Sequence, residues 1–264
     1  MRFDGCLLMS IFKPKCPVST EEKRWIEAAM KWLCDTFDSH PIDKTTVILP
    51  TPEFFPDRYS THKEDVKVLI ERVCGYMKVD PTRLVLEFYE DAQKSCSARV
   101  PFFGGTHAGA AGTYREADGE LVIGIEESNL SDPMGVVAVV AHELAHVCLL
   151  GDGRMTREAK DHEYYADLFT IFSGLGIFNA NVAFVTTGKK NAHGHSWSVQ
   201  RRGYMSEQMF GYALALFAWR RGEPNPNWHK FLESSPRHYF KASMKFLHRN
   251  GDQELPDYAG IPER

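Results

Sequence analysis

Residues 131–151 read SDPMGVVAVVAHELAHVCLLG, and the fold turns on how this stretch is read. Ser131 and Asp132 are residue types that cap a helix at its start, Gly151 is one that ends it, and the residues between are almost continuously apolar. A helix without a polar face is covered on all sides, so this segment is expected to be the central element on which the chain packs. Set into it is His142-Glu143-Leu144-Ala145-His146. Helix positions four apart differ by about 40° around the axis, so the two imidazoles share a face, with Glu143 about 100° round from His142. Left without partners on an apolar helix, two histidines and a glutamate would be costly. Neutral imidazole is a good zinc ligand, and a pair held on a rigid helix loses little entropy when it binds a metal. The pattern therefore points to zinc held by His142 and His146, with Glu143 close enough to activate water without joining the ligands.

A catalytic zinc site takes a third protein ligand and leaves a position open. The next helical segment supplies Asp161-His162-Glu163-Tyr164-Tyr165-Ala166-Asp167. Glu163 and Asp167 are one turn apart on one face, and the small Ala166 lets this helix approach the first. Glu163 is the expected third ligand, and Asp167 is placed to accept a hydrogen bond from a ligand histidine and fix its orientation. The alternative from another class is a non-catalytic protein with a structural zinc or an interaction role, which would need the ligands but not Glu143.

HELAH followed by EYYAD resembles the HExxH plus ExxAD arrangement of gluzincin zinc metallopeptidases, the thermolysin-like superfamily. The resemblance spans roughly residues 137 to 170. It implies one zinc ion per chain and hydrolysis of peptide bonds in a peptide or protein substrate. It assigns His142, His146 and Glu163 as ligands, Glu143 as general base and Asp167 as the residue behind them. It also implies a zincin-like fold: a small sheet with an edge strand, here expected at Leu121 to Glu126, packed on the HExxH helix, then a mainly helical C-terminal lobe. The HExxHxxGxxH spacing of metzincins is absent, and residues 104–112 (GGTHAGAAG) do not match the GxMEN motif of gluzincin aminopeptidases, so an endopeptidase is expected. A donor for the tetrahedral intermediate is sought among His193, His195, Tyr204 and Tyr212. The His193/His195 pair has no neighbouring acid to build a second metal site.

Outward from this core, the fold class is α+β, one domain over 1–264 with a mixed α/β part (1–130) and a helical part carrying the metal site (131–264). Ser19-Thr20-Glu21-Glu22 and Thr61-His62-Lys63-Glu64 have the form of capping boxes ahead of two amphipathic helices. Thr45 to Leu49 and Leu84 to Tyr89 read as strands, and Ala117-Asp118-Gly119 joins two more as a hairpin. Later helices are expected at about 156–173, 204–221 and 236–249, with a weakly structured stretch from about Gly188 to Gly203. The Met205, Met209, Phe210, Leu214, Phe217 and Ala218 series reads as core, and the aromatic loop Thr51 to Pro56 as packing.

With 264 residues, 43% hydrophobic and 25% charged, the composition is that of a globular protein, and it excludes broadly disordered and fibrous classes. The net charge of -4 gives no general case for nucleic acid, although Arg201, Arg202, Arg220 and Arg221 are candidates for a local basic patch. No secretory signal and no membrane span is read, and the six cysteines form no CxxC pair, so a cytoplasmic setting is expected.

Overall fold

The computed structural model describes residues 14–38, 40–89, 112–117, 120–191, 194–201 and 203–250. Within them the chain is α+β. It has seven α-helices: α1 (Thr20–Thr36), α2 (Lys63–Met77), α3 (Pro133–His146), α4 (His162–Phe172), α5 (Gly176–Val182), α6 (Glu207–Arg220) and α7 (Ser234–Asn250). A three-stranded sheet comprises β1 (Leu84–Tyr89), β2 (Gly112–Ala117) and β3 (Glu120–Glu126), and a separate hairpin comprises β4 (Phe184–Asn191) and β5 (Gly194–Arg201).

The expected helix ends are formed at α1, where the Ser19 hydroxyl accepts from Glu22 N and Glu22 accepts from Ser19 N. At α2 the cap differs from the capping box expected there. His62 makes no side-chain cap, and Asp65 reaches back instead to the Ser60 backbone N–H and hydroxyl. At the start of α3 the Asp132 carboxylate accepts from Gly135 N, and Pro133 occupies the first turn, where its missing N–H costs nothing. α3 ends at His146 and runs on as a single π turn over Val147–Gly151.

The sheet order is β1-β3-β2, with β1 parallel and β2 antiparallel to β3. This corrects the expectation that Leu121 to Glu126 is the edge strand: it lies in the middle, and β2 is the edge beside α3. Leu121, Val122, Ile123 and Ile125 are all buried, an unbroken apolar run that marks a strand covered on both faces.

Residues 45–49 are extended but join no ladder. They dock on the turn after α4, where Ile48 N donates to Gly174 O. Gly174 has φ 88°, and a side-chain carbon there would run into the Thr46 carbonyl. Gly174→Ala is therefore expected to destabilise the protein by at least about 2 kcal/mol, read as a lower urea midpoint at unchanged slope.

α4 begins at His162, later than the expected 156, because turns at 156–159 and 159–162 take up the connection. The stretch after α4 also differs from expectation: α5 follows at once, and Phe184–Asn191 and Gly194–Arg201 pair as the β4–β5 hairpin within the otherwise helical second part. Asn179 on α5 donates to Ala138 O on α3, and Phe55 packs edge-on against Tyr76 and Phe178. α6 is buried on all sides from Met209 to Ala218, wider than a single core face. Arg221, at its far end, is committed to the carbonyls of Ile42 and Thr45 and to Glu223. These bonds draw Arg221 away from any shared basic patch, and Arg202 lies outside the described residues. One helical stretch among the described residues, Pro133–Gly151, is long and apolar enough to cross a membrane, and 72% of it is buried inside the protein. Cys16, Cys34, Cys74 and Cys148 are free thiols.

Candidate metal centre

α3 and α4 cross with Ala166 fully buried, and the two helices bring His142, His146, Glu163 and Asp167 together. Oε2 of Glu163 lies 3.1 Å from His142 Nε2 and 3.2 Å from His146 Nε2. The three donor atoms all lie within 4.8 Å of one another. Metal bonds of about 2.1 Å in a tetrahedron place neighbouring ligand atoms about 3.4 Å apart, so the donors converge at a spacing a small divalent cation fits.

The orientation of each ring has a separate cause. His142 Nδ1 meets Asp167 Oδ1 at 2.9 Å, which turns Nε2 towards Glu163. Asp167 is 1% exposed, and its other oxygen accepts the backbone N–H groups of Tyr204 and Met205 at 2.8 and 2.9 Å. His146 has no such anchor: its Nδ1 is buried without a hydrogen-bond partner. An orphaned buried polar atom costs about 1–3 kcal/mol, so the fold tolerates a penalty to aim His146 Nε2 at the cluster. Each imidazole also lies under a tyrosine. The Tyr204 ring stacks on His142 and the Tyr114 ring on His146, both at 5.9 Å between centroids.

Three carboxylates, Glu143, Glu163 and Asp167, gather here beside the histidines, and the protonation equilibria record the crowding. Burial pushes Glu143 up to about 7, with His142 opposing and Glu163 adding to the rise. Burial works against a charged His142, yet its bonds to Asp167 and Glu163 outweigh that and raise its pKa well above the usual imidazole range. Burial lowers His146, and hydrogen bonds from His142, His146 and His162 hold Glu163 far below the carboxylate range despite its burial. A cluster this rich in carboxylate, with two imidazole nitrogens turned inwards, is suited by its chemistry to a divalent cation.

Of the other residues singled out from sequence, Tyr204 reaches the cluster. Its phenol hydrogen-bonds Glu163, and burial together with the nearby carboxylates raises its pKa. Tyr212 is not brought there. It is fully buried on α6, and its hydroxyl donates to Glu27 on α1 at 2.7 Å. His195 lies on β5 opposite Lys190, and His193 is outside the described residues.

Two neighbours escaped the sequence reading. Tyr114 lies on β2, with the Arg157 guanidinium 5.1 Å above its ring, and only the tertiary fold brings it to His146. His162 immediately precedes Glu163 in sequence. Its Nδ1 meets Ala159 O at 2.8 Å, and its Nε2 stands 3.4 Å from Glu163 Oε1, the oxygen that His142 and His146 do not meet. That adjacency was the available signal.

The bond between His142 and Asp167 yields a graded expectation. Asp167→Asn should weaken metal affinity about 10- to 100-fold, and Glu163→Gln should weaken it more by removing a charged donor. A titration against a competing chelator at fixed pH ranks the two, and the reverse order would exchange their roles.

No protein-family model matches the chain, and comparison with curated proteins and with solved structures returns no match.

Proposed function

We propose that the chain is a zinc-dependent metallopeptidase of zincin-like fold, an endopeptidase whose ligands are His142, His146 and Glu163. The observation that carries this reading is the convergence of both Nε2 atoms on one Glu163 oxygen, with the buried Glu143 beside them outside the donor set. The position of β2 next to α3, as the edge strand among the described residues, adds support, because an extended peptide can pair with a strand edge through its backbone.

When bound, zinc supplies Lewis acidity, polarising the scissile carbonyl and acidifying water. Glu143 takes the proton of the attacking water as its oxygen bonds to the carbonyl carbon. It then delivers that proton to the amide nitrogen as the C–N bond breaks, leaving a carboxylic acid and an amine. Tyr204, stacked on His142 and hydrogen-bonded to Glu163, is the phenol we assign as donor to the developing oxyanion. Asp167 keeps His142 in the Nδ1–H tautomer.

The test is metal analysis of the purified chain together with proteolysis profiling on a diverse peptide library. Close to one zinc per chain and metal-dependent cleavage are expected. A chain that binds zinc and cleaves nothing would instead favour the structural or interaction role.

A further inference from the structure

The two oxygens of Glu163 have different partners. Oε2 lies 3.1 and 3.2 Å from the Nε2 atoms of His142 and His146, whereas Oε1 stands 3.4 Å from Nε2 of His162. Consecutive helical residues point about 100° apart, so neighbouring side chains do not ordinarily face each other. His162 turns towards Glu163 because the other end of its ring is tied. It is the first residue of α4, and its Nδ1 donates to Ala159 O at 2.8 Å across the turn that leads into the helix. A carbonyl and an ionised carboxylate both only accept, so the ring donates from both nitrogens.

The three ligands are therefore oriented unequally. Asp167 holds His142 and His162 holds Glu163, while His146 Nδ1 has no partner. A cation seated among the donors would replace the contacts that Oε2 makes with the two imidazoles. The contact at Oε1 involves neither imidazole of the donor set, so it persists and sets the rotation of the carboxylate. That rotation matters because a carboxylate ligates through one oxygen or through both. A second oxygen from Glu163 would take the position that a catalytic zinc keeps for water. Tyr204 also bonds Glu163, but it arrives from the chain beyond β5, whereas His162 belongs to the same helix as the ligand and keeps its station relative to it.

Resting on the zinc-peptidase reading, we propose that His162 is a positioning residue that occupies Oε1 of Glu163, confines this ligand to one oxygen, and so keeps the fourth zinc position open for water.

The experiment is X-ray absorption spectroscopy on the zinc-loaded full chain and on His162→Gln, His162→Asn and His162→Ala. The amide nitrogen of Gln sits near the place of Nε2 and that of Asn near the place of Nδ1. His162→Gln thus keeps the donor to Glu163, His162→Asn keeps only the tether to Ala159, and His162→Ala keeps neither. A carboxylate bound through both oxygens brings its carbon close to the metal and adds a short zinc–carbon shell. That shell should be absent from wild type and His162→Gln, and present in His162→Asn and His162→Ala. Turnover should fall about 10- to 100-fold in the latter two, and His162→Gln should restore it. Zinc affinity, by chelator titration, should hold in all four proteins because the added oxygen offsets the lost bond, in contrast to Asp167→Asn. Circular dichroism establishes that each variant is folded.

One-oxygen ligation in all four proteins overturns the inference, as does the short shell in His162→Gln. The spectra need bound metal but no turnover, so a chain that holds zinc and cleaves nothing fails the peptidase reading alone. A chain that takes up no zinc overturns both.

Discussion

Glu143→Gln is expected to keep its zinc and to lose about 100- to 10,000-fold in kcat for peptide hydrolysis. The substitution preserves shape and replaces a proton-accepting oxygen with an amide that cannot take a proton from water. The donor group comprises His142, His146 and Glu163 without Glu143, so metal content measured by mass spectrometry should stay near wild type. Stability should hold or rise, because the variant removes a 7% exposed carboxyl whose burial already disfavours its charge. An active Glu143→Gln enzyme would sink the mechanism whatever its metal content. Loss of zinc in that variant would move Glu143 into the ligand set.

His146→Ala should have the largest effect on metal. It deletes one of two nitrogen donors supplied in fixed geometry by α3, so the loss of affinity should exceed the roughly 10- to 100-fold typical of an outer partner. The variant also removes the face on which Tyr114 stacks, and with it the buried Nδ1 that has no partner. These changes oppose each other in stability, so a modest shift in unfolding midpoint should accompany a severe loss of zinc. Full zinc occupancy in His146→Ala would refute the assigned ligands.

The helices were legible because their chemistry is periodic. Four-residue spacing placed His142 with His146 and Glu163 with Asp167, and the structure brings all four together. The sheet order was not legible. A run such as LVIGI has no polar face to show which side meets water, and pairing on both edges is decided by β1 and β2, which lie elsewhere in sequence. The β4–β5 hairpin was obscured by Gly188 and Gly194, which interrupt the alternation that marks a strand. α5 is only seven residues long and carries two asparagines and a glycine, too few turns for periodicity to emerge. Tyr212 belongs to a helix so thoroughly buried that its phenol had to find an acceptor, and Glu27 supplies it. The 3.6-residue period gives no indication of such a partner.

A side-chain carbon built on Gly203 would lie 3.6 Å from the Ala183 Cβ, so the β4–β5 hairpin is an excursion that begins and ends at nearly one point. The entropy of closing a flexible loop grows only with the logarithm of its length, so once the two ends are joined, lengthening or shortening the excursion changes folding free energy little. The core formed by α3, α4 and α6 can therefore stay fixed while the hairpin varies in length and charge. The cluster of His142, His146, Glu163 and Asp167, built on α3 and α4, is thereby insulated from changes in that excursion.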